Sequence, residues 1–160
     1  MSNMVIEENE REKHKNTVVI EAYDENGNLI ERREDYNLIV NTGRNLVCQL
    51  LAGDSTSSIQ YMSIGKGMTF DGEGNPVVAL TNTDITDEIL RKSIESHTYP
   101  LETSVEFIAS FYRSEIAEEI NELGMLNEDG TLYGHIGFAN LDMSLESVIY
   151  LIVVKWVVRY

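Results

Sequence analysis

The sequence predicts a mainly β protein: an antiparallel β-sandwich with one short α-helix at about residues 43–52. Strand-like runs recur along most of the chain, and one segment shows a clear helical pattern. The strands do not alternate with helices, which disfavours a doubly wound parallel sheet. A chain of 160 residues is long enough to bury one core without disulfides. We therefore expect a flexible N-terminal arm, residues 1–16, followed by a single β-rich domain, residues 17–160.

The predicted arm is rich in Glu, Lys, Arg and Asn and shows no hydrophobic periodicity. This composition is typical of a mobile segment that can order on a partner. It contains no apolar h-region of the kind that a secretory signal needs. We expect synthesis in the cytoplasm.

The first hairpin and the helix follow the arm. The β-rich runs TVVIEAYD and LIERREDYNLIV flank the turn signal ENGN. In NTGRNLVCQLLAG, Asn41 or Thr42 is expected to cap a helix that ends at Gly53. Its apolar face is predicted to contain Leu46, Val47, Leu50 and Leu51. Cys48 has no possible disulfide partner in the chain and is expected to be a buried core thiol.

Further strands are predicted in SIQYMSIG, ILRKSIESHTY, SVEFIASFYRS, TLYGHIGF and SVIYLIVVKWVVRY. NEDG at 127–130 indicates a tight turn. IAEEINELG suits either a helix or a strand, because its periodicity does not decide between them. The closing run is too short for a membrane helix and carries Lys155 and Arg159, so it is interpreted as a buried strand.

Charge restricts the possible partners. The chain has 12 basic and 27 acidic residues, a formal net charge of -15. Such a surface repels nucleic acids and anionic lipids. We expect neither a nucleic acid nor a membrane as a partner.

Motifs of catalysis and metal binding do not have the required spacing. SIGKGMT lacks the P-loop pattern, and Asp71 and Glu73 in DGEGNP do not complete a calcium loop. His14, His97 and His135 lack zinc spacing, and no GxSxG elbow occurs. We therefore expect no catalytic residue, no metal and no cofactor, and a protein that is not an enzyme.

Several residues are instead expected to shape turns or contacts. The glycines assigned to turns are Gly43, Gly65, Gly67, Gly124 and Gly130, and unusual backbone angles are expected at Gly65 and Gly67. Arg91 is expected to pair with a carboxylate across the sheet. A carboxylate cluster in SEIAEEINE is interpreted as a solvated or subunit-contacting face; it consists of Glu115, Glu118, Glu119 and Glu122.

Read in order, four motifs and a closing strand form a larger pattern: NLIVNTGRNLVCQLLAG, IQYMSIGKGMT, LTNTDITDEILRKSI and VEFIASFYRSEIAEEINELGMLNEDGTLYGHIGF. Over about residues 36–160 this order resembles the phage tail-collar fibre and related tail-fibre family. The third motif is similar to the family's Leu-Thr-x-Thr-x-x-x-x-E-x-x-R-K segment. Its E-x-G-L-x-x-x-D-G-T-L segment is matched here by Glu122, Gly124, Met125, Leu126, Asp129, Gly130, Thr131 and Leu132.

The resemblance implies a structural virion protein that helps attach a tail fibre to the baseplate, often as a trimer. It implies contacts with copies of itself and with other phage structural proteins, and it brings no catalytic residues. No fibre shaft or receptor-binding tip follows the motifs, which favours an adaptor at the baseplate, tail tip or neck. A head fibre or capsid decoration protein is an alternative. The alternative of another class is a small module that binds a metal or a glycan at the 65–75 loop.

Overall fold

The computed structural model of the protein describes residues 16–160, so nearly all of the predicted arm lies outside the described residues. The chain forms ten strands and two helices in this range. The helices are α1 (Asn41–Ala52) and α2 (Arg113–Ile116). The strands are β1 (Thr17–Tyr23), β2 (Leu29–Tyr36), β3 (Leu38–Ile39), β4 (Ile59–Gly65), β5 (Glu88–Ser93), β6 (Ser96–Leu101), β7 (Ser104–Tyr112), β8 (Glu119–Asn127), β9 (Leu132–Asp142) and β10 (Leu151–Arg159).

The strands form two antiparallel five-stranded sheets. Sheet A has the order β2-β1-β10-β7-β6, and sheet B has the order β3-β9-β8-β4-β5. The predicted mainly β sandwich is confirmed. The chain passes from one sheet to the other at both sides, because β2 continues into β3 and β5 continues into β6.

The core lies between the sheets. Sheet A contributes Phe111 and Trp156, and sheet B contributes Met62, Leu123 and Ile136; all five are buried. The apolar C-terminal run forms a strand as predicted, β10, and the structure places it at the centre of sheet A. No helix among residues 16–160 is long and apolar enough to cross a membrane.

Helix α1 begins two residues before the predicted start and ends where predicted. Neither Asn41 nor Thr42 caps it: Val40 is the N-cap and has no capping side chain, while the Thr42 hydroxyl donates to the Leu132 carbonyl at 2.7 Å. Gly43 lies inside the helix rather than at a turn. A Cβ there would lie 2.1 Å from the Tyr133 carbonyl oxygen, so glycine allows α1 to approach β9 closely.

The prediction that Cys48 is buried is wrong, since its side chain is exposed. At 100° per residue, Gly43, Leu46 and Val47 define the inward side of α1, and Cys48 lies well away from it. Leu51 also departs from the predicted apolar face and is 84 % exposed.

The segment whose periodicity was ambiguous divides between two elements. Arg113–Ile116 forms the second helix, which the sequence did not predict, and Glu119–Asn127 forms β8. Ala117 separates them with φ 57°, a left-handed conformation that ends the helix and redirects the chain.

Three five-residue turns share one design: DENGN at 24–28, DGEGN at 71–75 and NEDGT at 127–131. In each, the first side chain accepts a hydrogen bond from the amide of the fifth residue, at 2.8–2.9 Å. The fourth residue is a glycine with φ between 81° and 83°, a conformation that side chains resist. The predicted turn role of Gly130 is thereby confirmed.

Residues 66–87, here called the strap, lie on the outer face of sheet B. Two buried side chains of the strap, Met68 and Ile85, sit on glycines of the sheet. A Cβ at Gly124 would lie 2.6 Å from Ile85 Cδ1, and one at Gly137 would lie 2.6 Å from Met68 Sδ. Gly124 is therefore a strand residue that makes room for the strap, and not a turn residue as predicted.

At Gly65 and Gly67, too, a neighbouring part of the chain lies too close to leave room for a side chain. Neither has a positive φ, so the expected unusual backbone angles are wrong. A Cβ at Gly65 would lie 2.6 Å from the Asp87 carbonyl oxygen, and one at Gly67 would lie 2.8 Å from the Asp87 amide nitrogen. These glycines allow the two ends of the strap to meet.

Candidate assembly surface

Strand β6 is the most exposed strand of the fold. All six of its residues are exposed, and among residues 16–160 no strand pairs with its outer side. Its large side chains include Tyr99, 71 % exposed, and Leu101, 61 % exposed. Edge strands of this kind offer free backbone groups to another chain. Pro100 has no amide hydrogen, which limits regular pairing to Ser96–Tyr99.

Beside β6 the sandwich is open. A groove of about 500 Å³ between β6, β7 and β4 adjoins an apolar pocket of about 250 Å³ below α1. We call the two together the inter-sheet cleft. They share Leu50, Ile59, Val105 and Phe107.

The cleft is an unfilled part of the core. Leu50 lies on the inward side of α1, at an angle between Leu46 and Val47, and yet it is 38 % exposed. Val105 and Phe107 are paired with Val158 and Trp156 on the inner side of sheet A, and they are only half-buried. Apolar side chains that face inward and stay exposed favour a partner that covers them.

Aromatic rings line both ends of the cleft. The His97 ring lies 5.8 Å from Tyr99 and 6.2 Å from Phe107, measured between centroids. At the other end the hydroxyls of Tyr133 and Tyr160 are 3.0 Å apart. Burial, followed by this hydrogen bond, raises the pKa of Tyr133 far above its ordinary value, so the phenol stays neutral. Rings that combine apolar area with a polar tip are enriched at interfaces.

The opposite edge of sheet A differs in character. Strand β2 presents charged side chains that pair along the strand: Arg32 with Glu34 at 3.1 Å, and Arg33 with Glu31 at 2.6 Å. Charged side chains discourage edge-to-edge pairing. Of the two edges of sheet A, β6 is therefore the better candidate for assembly.

The residues predicted for assembly do not lie together on this surface. Arg91 pairs with Glu88 of its own strand at 2.8 Å, and it lies 3.9 Å from Asp84 of the strap. The expected carboxylate across the sheet is thus replaced by local partners. Arg91 joins β5 to the strap.

The predicted carboxylate cluster is dispersed by the fold. Glu115 pairs with Lys92 at 3.1 Å, and Glu118 pairs with Lys66 at 2.6 Å. The Asn140 amide donates to Glu119 at 3.4 Å. These three carboxylates hold neighbouring segments together at the surface.

The prediction of a solvated face is wrong for Glu122, because its side chain is completely buried under the strap. Its Oε1 accepts a hydrogen bond from the Asp87 amide at 3.1 Å, and its Oε2 lies 3.8 Å from His135 Nε2. Burial raises the pKa of Glu122, but His135 and the backbone amides of Asp87 and Thr86 together outweigh burial and hold it below its ordinary value. Glu122, paired with His135, thereby attaches the end of the strap to the outer face of sheet B.

His135 is linked to the strap as well. Its Nδ1 lies 3.1 Å from the Asn82 side-chain nitrogen. With Asn82 as the donor, Nδ1 accepts and the ring carries its hydrogen on Nε2, toward Glu122. His97 and His135 lie in strands as predicted, and His14 lies outside the described residues.

In the 65–75 loop, Asp71 has a structural task. Asp71 Oδ1 accepts hydrogen bonds from the amides of Glu73 and Asn75, both at 2.9 Å, so this carboxylate closes a turn. Across residues 16–160, no group of three or more His, Cys, Asp or Glu side chains is placed to hold a metal ion.

Sequence reasoning missed β6 and the cleft as a surface. A usable signal was present, since His97 and Tyr99 alternate in SHTYPL, and alternate residues of a strand point to one side. The register shift between Thr98 and Leu101 then pairs Leu101 with Ser104, on the other face. The opening beside β6 depends on how far α1 stands from β7, which no local pattern encodes.

Comparison of the chain with models of protein families, with curated proteins and with solved structures found no match.

Proposed function

We propose that this protein is a structural component of a tailed bacteriophage virion, without enzymatic activity, that acts as an adaptor or fibre-attachment subunit of the tail or baseplate. The observation that carries the proposal is the exposed strand β6 beside an open, apolar inter-sheet cleft. A second copy of this chain is the partner that this surface receives. The expected assembly is a homo-oligomer that then contacts other virion proteins; the similar family suggests a trimer.

The chemistry of the surface supports an assembly role. The cleft is lined mainly by aliphatic and aromatic side chains, and charged residues concentrate elsewhere, as on β2. Interface cores are depleted of charge and enriched in aromatic residues. With a net charge of -15, copies repel one another at long range, so an apolar contact area has to provide the attraction.

The similarity to tail-fibre sequences supports the phage assignment on other grounds. LTNTDITDEILRKSI covers the end of the strap and β5, and ELGMLNEDGTL covers the last six residues of β8, the following turn and the first residue of β9. Residues of the ELGMLNEDGTL motif have structural tasks in this fold. Glu122 anchors the strap, Gly124 makes room for Ile85, and Gly130 closes a turn. The pattern is therefore one of architecture, as expected for a virion protein.

The same assembly surface would also suit a neck protein, a head fibre or a capsid decoration protein, which are the alternatives to a tail or baseplate location. The alternative of a metal- or glycan-binding module has no comparable support among residues 16–160, because Asp71 is committed to a turn.

Immunoelectron microscopy of phage particles from producing cells tests the proposal. An antibody against this chain is expected to label the tail or baseplate of purified particles. Label at the neck or head would select the corresponding alternative. Protein that remains free of particles throughout infection would refute the virion role.

A further inference from the structure

We infer that the inter-sheet cleft receives the N-terminal arm of a neighbouring copy, with Met4, Val5 and Ile6 extending sheet A alongside β6. This inference rests on the proposed function, since it names the segment through which one copy contacts the next. It concerns the part of the chain that precedes the described fold.

The arm has a suitable apolar segment. Residues 1–15 contain one apolar run, Met4, Val5 and Ile6, followed by the charged sequence EENEREKHK. In a strand, alternate side chains point to the same side. Met4 and Ile6 can therefore enter the cleft together while the backbone pairs with Ser96–Tyr99.

The described fold shows where the arm begins. Asn16 is buried, its carbonyl accepts from the Asn37 amide at 3.2 Å, and its Oδ1 accepts from the Arg159 amide at 2.8 Å. Arg159 precedes Tyr160, which lines the cleft. The arm thus leaves the domain at the end where the cleft opens.

Length permits the contact. Residues 7–15 span about 30 Å when extended. The distance from β1 to β6 across β10 and β7 is about 14 Å, three strand spacings. The strand order places β10 and β7 between the exit of the arm and the β6 edge of its own sheet. This length reaches the chain's own β6 edge as well as that of a neighbour, and the proposed self-association selects the neighbour.

Charge favours the arm over other segments. Residues 1–15 carry three basic residues (Arg11, Lys13, Lys15) and four acidic ones (Glu7, Glu8, Glu10, Glu12), a net charge of 3 − 4 = −1; the remainder therefore carries −15 − (−1) = −14. Approach of the nearly neutral arm to a strongly acidic neighbour encounters less repulsion than approach of a second folded domain.

Self-association of full-length variants tests the inference. Met4→Asp/Ile6→Asp is expected to raise the dissociation constant of self-association at least about tenfold, whereas the control Glu8→Gln, in the same arm, leaves it unchanged. Neither change touches the described fold. If the assembly survives Met4→Asp/Ile6→Asp but is lost in Tyr99→Lys, the arm inference is overturned and the proposed function stands. If it survives both, the assembly surface is refuted as well.

Disulfide trapping identifies the chain that supplies the arm. In a Cys48→Ser background, Ile6→Cys protein is mixed with Tyr99→Cys protein under mild oxidation. A mixed disulfide dimer is expected, and the control Leu29→Cys, exposed on the opposite edge, should not cross-link. In a chain that carries both cysteines, an exclusively intrachain bond would overturn exchange between copies. Absence of any bond involving Ile6→Cys would overturn the contact itself.

Discussion

Glu122 Oε2 lies 3.8 Å from His135 Nε2 in a completely buried setting, and neither atom has a hydrogen-bond partner among the described residues. One residue belongs to β8 and the other to β9, on the face that the strap covers. Buried charge is costly unless it is paired. This pair is therefore a sensitive point in the attachment of the strap.

Acidification is expected to weaken the fold through Glu122. Its pKa is held below the ordinary value in the folded state, so its contribution is fully present above the ordinary value near 4.5. The contribution is lost as pH falls through the folded-state pKa. Glu122→Gln should lower the free energy of unfolding by about 1–3 kcal/mol at pH 7.

Urea denaturation at pH 7 and at about pH 3 measures this effect. The difference between wild type and Glu122→Gln should shrink at the lower pH, because Glu122 of the unfolded chain is then protonated and wild type loses the stabilisation that the ionised form provides. Glu119→Gln is the control, because this exposed side chain lies on the same strand. A Glu122→Gln difference that is the same at both pH values would contradict the assigned role of the charge.

Adding a methyl group at Gly65 is expected to destabilise the fold by about 1–3 kcal/mol. The new Cβ would lie 2.6 Å from a backbone oxygen of Asp87, which cannot rotate away as a side chain does. Gly72→Ala is the matched control, since a Cβ there meets nothing within 4 Å and φ is not positive. Thermal unfolding of both variants tests this expectation. Equal melting temperatures would refute the explanation by close approach.

Truncating Ile85 is expected to loosen the strap. This side chain is 6 % exposed and sits on Gly65 and Gly124, so Ile85→Ala should cost about 2–5 kcal/mol. Limited proteolysis should then cleave within residues 66–87 faster than in wild type. Val77→Ala, on an exposed part of the strap, should leave cleavage unchanged; cleavage outside the strap instead would show that Ile85 supports a different segment.

The local fold could be predicted from the sequence where short-range chemistry decides. The 17–36 hairpin follows from β-rich runs around ENGN, and β10 follows from an apolar run that is too short for a membrane. The turn at Gly130 follows from NEDG in the same way. Each depends on residues within a few positions of one another.

The candidate site could not be predicted in the same way, because it depends on distant packing. Glu122 was assigned to solvent as one of several glutamates, but β8 places it beside Gly65 and Gly137, where the strap buries it. The strap has no periodicity that reveals its docking face. Leu50 was correctly placed on the inward side of α1, whereas its exposure reflects the open cleft.

Salt is expected to strengthen self-association. Like-charged copies repel, and ionic strength screens that repulsion, while apolar contacts in the cleft persist. The dissociation constant should fall roughly severalfold between about 50 and 200 mM NaCl. Analytical ultracentrifugation across this range measures it, and weaker association at higher salt would indicate an interface made of ion pairs instead.

Light scattering coupled to size-exclusion chromatography tests the assembly surface most directly, on wild type and on Tyr99→Lys. Tyr99 is 71 % exposed, so the substitution should leave the circular dichroism and melting temperature unchanged. The account predicts a defined homo-oligomer for wild type and a monomer for Tyr99→Lys, with Leu29→Lys, on the β2 edge, as an oligomeric control. A monomeric wild type at all concentrations, or an oligomer that Tyr99→Lys leaves intact, would contradict it.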